Sequence, residues 1–367
     1  MCRSSFTRNT LEVALLKKRA EKHFFKISIK NWTKWEFKLP SYPLFQNDRP
    51  GVILAPMEGV TDAPMRALLT EQGSFLFCVS EFLRVTDQVP PTSVFYRHIP
   101  ELKQQSLTPS GTPVLVQLLG GNAQKLAESA IRAVSLGAKG IDLNFGCPAP
   151  TVNRHDGGAT LLKYPKRLFE IVSTVRGAVP LEIPVSAKVR LGWSEPDDIF
   201  ENVEAVAKGG ASWVTIHART RMQGYAKPVF WDHIRRVREL RFLPVVANGD
   251  IWNFQDFLKC YELTGCEHFM VGRGAVGNPL LATSIDSFFQ KKAPSSQFAN
   301  APDSPGDWRP FVERFVTLSQ THTDKPEYIV RRIKQWVKLA SIERSLPWFE
   351  ELKRTQTLDE CLKTFAV

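Results

Sequence analysis

The chain has 367 residues, with 48 Lys and Arg against 37 Asp and Glu and a formal net charge of +11. Its 43% hydrophobic and 23% charged residues exclude a disordered chain, and the length suits one large domain with a smaller one attached. No apolar run reaches the roughly 18 residues of a membrane span. Six scattered cysteines without a C-x-x-C spacing speak against a disulfide framework or a zinc site, so a cytoplasmic, metal-free protein is expected.

Residues 1–50 carry a net charge of +7, residues 51–308 only +1, and residues 309–367 +3. A basic end on a neutral body suits a polyanion, although a solvated tail at residues 1–50 gives the same count. Leu11 to Phe25 predicts one basic amphipathic helix. The segment has no apolar core for a secretory signal, and Glu12 and Glu21 interrupt the basic run of a transit peptide. It is treated as a basic extension to which no function is assigned.

From residue 51 the pattern becomes regular. Short apolar, β-branched runs occur at 52–57, 75–82, 113–119, 140–147, 184–191, 213–219, 244–249 and 268–273. Most are continuous rather than alternating, as in parallel strands buried on both faces. Helical spacing separates them, as at 122–136, where Leu126, Ala130 and Ala133 share a side and Gly137 stands as the stop. Eight such units over residues 51–290 predict an α/β fold, a TIM (β/α)8 barrel. An open doubly wound sheet is the rival, but no G-x-G-x-x-G follows the first strand. Residues 291–308, rich in Pro, Ser and Ala, read as a linker or loop. Residues 309–367 then predict a small all-helical domain with two apolar stripes, Phe311, Phe315 and Leu318, then Ile329, Ile333, Trp336 and Val337. On that pattern Arg332 and Lys334 face away from the packed side.

Barrel chemistry sits at the C-terminal ends of the strands. Those positions hold Met57–Glu58, Glu81, Gln117, Asn144–Cys147, Lys188–Arg190, His217–Arg219, Asn248–Asp250 and Gly272–Arg273. Glycine-containing turns after the last two strands predict a phosphate site, with Gln117, Lys188 and His217 available to fix the flat ring of a flavin. Cys147 stands in N-F-G-C-P, a tight turn at this face, as a nucleophile or a general acid. Cys78, Cys260, Cys266 and Cys361 read as core.

These residues resemble a known family. A-P-M-E-G-V-T-D at 55–62, V-Q-L-L-G at 116–120, D-L-N-F-G-C-P at 142–148 and G-G-A-T-L-L-K at 157–163 are similar to bacterial tRNA-dihydrouridine synthases. So are K-V-R-L-G-W at 188–193, N-G-D-I at 248–251 and G-R-G-A at 272–275. S-E-F-L-R-V at 80–85 and R-I-K-Q-W at 332–336 resemble the C subfamily, which reduces uridine 16 of the tRNA D-loop. The resemblance implies FMN in the barrel mouth, NADPH as reductant, and a tRNA uridine as acceptor, in a monomer. It implies that Pro56, Met57, Glu58, Gln117, Lys188, His217, Asn248, Gly249, Asp250, Gly272 and Arg273 hold the cofactor. Cys147 would be the proton donor, kept as a thiol, with Asn144 beside the base, and Arg84, Tyr225, Arg332, Lys334 and Lys353 would contact tRNA. Leu339 and Lys353 stand where the subfamily usually has tyrosine and arginine. Two rival functions are a flavin barrel acting on a free pyrimidine, as dihydroorotate dehydrogenases do, and a tRNA-binding protein without chemistry. A basic helical domain argues against the first. The presence of Cys147, Lys188 and His217 argues against the second.

Overall fold

The computed structural model describes residues 50–291 and 305–365, so the predicted N-terminal helix and most of the linker lie outside the described residues. Eight parallel strands close a barrel: β1 (Gly51–Leu54), β2 (Phe75–Val79), β3 (Val114–Leu119), β4 (Ile141–Phe145), β5 (Val185–Arg190), β6 (Val214–His217), β7 (Val245–Asn248) and β8 (His268–Val271). Pairing of β1 with β8 (Val52 opposite Phe269) and of β2 with β3 (Cys78 opposite Val114) completes the circle. The TIM barrel is therefore present, with helices in the βα crossovers. The helix Ala123–Ser135 shows why the pattern was readable. Asn122 caps it by accepting Lys125 N–H, its Leu126, Ala130 and Ala133 are buried, and Gly137 follows at φ +96°.

The run at 75–82 does not continue as one strand. It breaks after Val79 and resumes as a two-residue segment, Leu83–Arg84, against the end of β3. Ser80 Oγ accepts the Gln117 N–H at 3.1 Å, a side chain standing in for the ladder partner, and the chain steps outward there.

Two apolar clusters stabilise the barrel. The larger fills the space between strands and outer helices, while Ile53, Phe77, Leu115, Trp213, Val246 and Met270 form a second, inside the barrel. Phe77 and Trp213 meet there with ring centroids 5.6 Å apart. This interior plug leaves the C-terminal ends of the strands for polar residues.

The C-terminal helices Arg309–Gln320, Pro326–Ala340, Phe349–Arg354 and Leu358–Lys363 bury both predicted stripes, with Phe311 only partly covered. Trp308, Phe315 and Trp336 pack together at 5.4–5.5 Å. Trp336 Nε1 also donates to Val276 O (2.7 Å), and Arg344 Nη1 to Gly277 O (2.8 Å), so this layer grips the segment after β8.

Candidate active site

Period-two geometry builds the site directly on the plug. Along β3 the inward face passes from Leu115 to Gln117, along β6 from Trp213 to Thr215 to His217, and along β7 from Val246 to Asn248. On β4 and β5 the same parity places Asp142 below Asn144 and Ser186 below Lys188. β3, β6 and β7 thus change from apolar to polar as they near the mouth, while β4 and β5 are polar in both layers.

On one side of the mouth lies a hydrogen-bond chain. Ser186 Oγ donates to Asp142 Oδ1 (2.6 Å), and Gln117 Nε2 donates to Asp142 Oδ2 (2.7 Å). Asn144 Nδ2 donates to Gln117 Oε1 (2.8 Å), and Asn144 Oδ1 accepts the N–H groups of Gly146 (3.0 Å) and Cys147 (2.9 Å). A carboxylate only accepts and a backbone N–H only donates, so the two ends fix the orientation of both amides between them. Gln117 and Asn144 each keep one further N–H. Replacement of Asp142 by alanine should cost about 1–3 kcal/mol of stability, because Gln117 then loses its acceptor in the interior. Asparagine, which keeps an acceptor, should cost less, and denaturant unfolding of both variants checks this.

Cys147 follows on a loop held from three sides. Its carbonyl accepts Ala159 N–H (3.1 Å), and Arg190 Nε donates to Gly146 O (3.0 Å). Gly158, at φ +59°, has no room for a side chain: a Cβ would sit 2.9 Å from Cys147 O. This close approach is the physical reason for G-G-A-T in the sequence. Burial pushes the Cys147 thiol above its ordinary value, with Arg190 a smaller opposing influence. The group is a thiol at neutral pH, as an acid requires. Cys78, Cys260, Cys266 and Cys361 are buried, in keeping with core roles.

The other side is cationic. Lys188 Nζ donates to Asn248 Oδ1 (3.0 Å), whose own amide donates to Met270 O (2.7 Å). Desolvation, then the charge of Arg190, pulls Lys188 down to about 8. His217 is held well below its usual range by burial and by Arg190, Lys188, Arg219 and Arg273, so its ring is neutral. Its Nδ1 is buried without a hydrogen-bond partner, a group fitted to meet a polar ligand edge. Arg219 and Arg273 both pair with the Asp250 carboxylate. Arg273 also lies over Tyr225 (4.6 Å) and Trp252 (4.4 Å). The Asp250 side chain is therefore committed to arginines, and only its backbone remains to meet an anion. Gly272 admits close approach, since a Cβ there would lie 3.0 Å from Met57 Sδ. Gly249, at φ +119°, forms the neighbouring turn. An unpartnered imidazole, an amine, donor amides and a cationic glycine-lined corner suit a flat heterocycle with a phosphate tail.

At the rim, Tyr225 is 58% exposed and stands edge-on to His217 (6.4 Å). Arg84 and Glu58 are also exposed there, desolvation raising the Glu58 carboxyl and the Arg84 charge partly opposing that shift, while Pro56 and Met57 are partly covered. Two expectations fail. Arg332 does not face away from the packing: it is buried, with Nε to Asp62 Oδ2 at 3.0 Å, Nη1 to Gly59 O at 2.8 Å and Nη2 to Val60 O at 2.8 Å. A guanidinium long enough to reach the barrel finds a carboxylate and two carbonyls there, which outweigh exposure to water. Lys334 Nζ donates to Lys353 O (3.0 Å) and Thr355 O, closing the C-terminal end of the helix Phe349–Arg354. Lys353 remains half-exposed and pairs with Glu350. Exposed cations on the same helix as Arg332 are instead Arg331 and Lys338. The sequence reading also missed Asp142 and Ser186, one layer below the strand ends. Their signal was a polar residue at inward parity within an apolar run.

Residues 53–366 match the model of the family described as dihydrouridine synthase. The tRNA-dihydrouridine(16) synthase of Vibrio parahaemolyticus is 46% identical over 306 residues, covering 83% of this chain and 90% of the relative. Those of Haemophilus influenzae (45% over 313 residues, 84% and 97%) and Pasteurella multocida (47% over 307 residues, 82% and 92%) are comparable. Among solved structures, a 2-naphthoyl-CoA reductase complex has a TM-score of 0.51 at 12% identity, covering 64% of this chain and 50% of that one. Histamine dehydrogenase from Rhizobium sp. 4-9 has the same score and identity, with coverage of 73% and 49%. At that identity the likeness concerns the fold.

Proposed function

The chain belongs to the dihydrouridine synthase family, and from that premise we propose that it reduces uridine 16 in the tRNA D-loop to 5,6-dihydrouridine, using FMN that NADPH has reduced. The cationic half of the mouth supports the cofactor assignment. Lys188, Gln117, the neutral His217 and Asn248 would hold the ring. The turns at Gly249–Asp250 and Gly272–Arg273 would hold the phosphate, and Pro56 and Met57 would line the pocket. When bound, FMN supplies the hydride that enters carbon 6 of the uracil.

The protein's own groups then have three tasks. Cys147 delivers a proton to carbon 5, which together with the hydride saturates the 5,6 double bond. Asn144, locked as a donor, presents its remaining N–H toward a carbonyl of the base. Lys188 would supply positive charge to stabilise negative charge on the bound cofactor. The single observation that carries this reading is geometric: Asn144 Oδ1 accepts the Cys147 N–H at 2.9 Å and its amide is fixed by Gln117, which sets a thiol beside a donor amide at one barrel mouth.

The uridine must leave the D-loop fold to reach this mouth, at a cost of a few kcal/mol or less for an unpaired base. Arg84 and Tyr225 at the rim, with Arg331, Lys338 and Lys353 on the helical layer, are the groups placed to meet phosphates. Position 16 is supported by the names of relatives that match along nearly their whole length. The test is a dihydrouridine map of tRNA from cells lacking the protein and from cells in which it is restored. Loss and recovery at position 16 are expected, whereas loss at 17, 20 or 20a with 16 intact refutes the site while leaving the chemistry.

A further inference from the structure

The helical layer does more than lie beside the barrel, because it reaches into two adjacent strand-end loops that frame the proposed cofactor site. After β8, Trp336 and Arg344 hold the carbonyls of Val276 and Gly277. After β1, Arg332 holds the carbonyls of Gly59 and Val60 and the carboxylate of Asp62. The same turn is gripped from the barrel side. Arg66 Nη1 donates to Thr61 O at 2.7 Å, and within the turn Thr61 Oγ1 accepts Met57 N–H at 2.8 Å. Met57 in turn touches the space above Gly272. The turn has two sets of holds, one from each structural layer, and Met57 lies at its start.

We infer that Arg332 is a positioning residue that sets the Met57–Asp62 turn from the helical layer, so that cofactor affinity depends on a residue of the layer that meets RNA. The inference rests on the FMN reading. Arginine suits this role because its rigid planar fork directs separate nitrogens at Asp62, Gly59, Val60 and Gln335, whereas the three N–H groups of a lysine ammonium radiate from one atom. Four of the five Arg332 N–H groups are committed to these acceptors and the side chain is buried, which leaves little of it for a phosphate.

The experiment uses full-length apoprotein of wild type, Arg332→Gln, Arg332→Lys and Asp62→Asn. Each is titrated with FMN by flavin fluorescence and with tRNA over a salt series. Asparagine at 62 keeps an acceptor for Met65 N–H, so the helix cap survives while the ion pair is lost. We expect the FMN Kd to rise at least about tenfold in Arg332→Gln, with partial rescue in Arg332→Lys and a smaller rise in Asp62→Asn. The salt slope of tRNA binding should not change. The gain in unfolding midpoint from saturating FMN should shrink, whereas a purely structural clasp would lower apo and holo midpoints equally. An FMN Kd within about threefold of wild type in both Arg332→Gln and Asp62→Asn overturns the inference. So does a salt slope lower by about one with FMN affinity intact, the signature of a lost phosphate contact. If Arg332→Gln does not fold, Asp62→Asn decides on the same criteria. Wild-type protein that takes up no FMN overturns the cofactor reading, and the inference with it.

Discussion

Cys147→Ala should reduce tRNA-uridine reduction by about 10²–10⁴-fold while leaving FMN content and tRNA affinity near wild type. In the proposed reaction the thiol is the acid, and burial raises its pKa above the ordinary thiol value. Because burial raises the pKa, the proton is lost only at higher pH than from an ordinary exposed thiol. The ultraviolet thiolate absorbance that disappears in Cys147→Ala should therefore titrate at higher pH than that of an exposed model thiol. A thiolate signal already present at pH 7, or a variant within about threefold of wild-type rate on the same tRNA, excludes Cys147 as the acid.

Lys188→Met should lower the rate by about 10²–10³-fold, the usual loss when a charge or donor aimed at developing negative charge is removed. Its stability effect has the opposite sign. In the cofactor-free protein Lys188 titrates near 8, below its ordinary value of 10.5. Between those values the unfolded chain binds a proton that the folded chain does not, so folding stability rises with pH across that window. Below about 8 both states are protonated and the cost of the desolvated charge is fully present. At pH 7 the Lys188→Met apoprotein should therefore melt above wild-type apoprotein, and the difference should shrink as pH rises toward 10. Differential scanning measurements at several pH values check the sign. A destabilised variant at pH 7 would show that the amine is already balanced by Asp142.

Much of this site was legible because a barrel strand repeats every two residues. Gln117, Asn144, Lys188, His217 and Asn248 announce themselves as polar residues where apolar runs end, and parity alone carries them to one interior. The glycines at 249 and 272 were legible for a related reason, since a glycine-containing turn at a strand end admits close approach. Asp142 was harder to read. A lone acidic residue inside G-I-D-L-N-F-G-C gains meaning only when Ser186 and Gln117, far away in the sequence, converge on it.

The sequence by itself determined the barrel, the apolar stripes of the C-terminal helices, and the family to which the catalytic motifs belong. Those features depend on local periodicity and on residue types that few other environments tolerate. Only the tertiary structure decided what the long cations do. Within R-I-K-Q-W the helical period places Ile333 and Trp336 in the core, but it says nothing about where a flexible guanidinium ends. Arg332 turns inward because Gly59, Val60 and Asp62, some 270 positions earlier in the chain, offer it three acceptors shielded from water. Lys334 is drawn to the carbonyl ends of a later helix in the same way. A long side chain's destination is set by the partners that folding brings within its reach, and no pattern along the chain encodes that meeting.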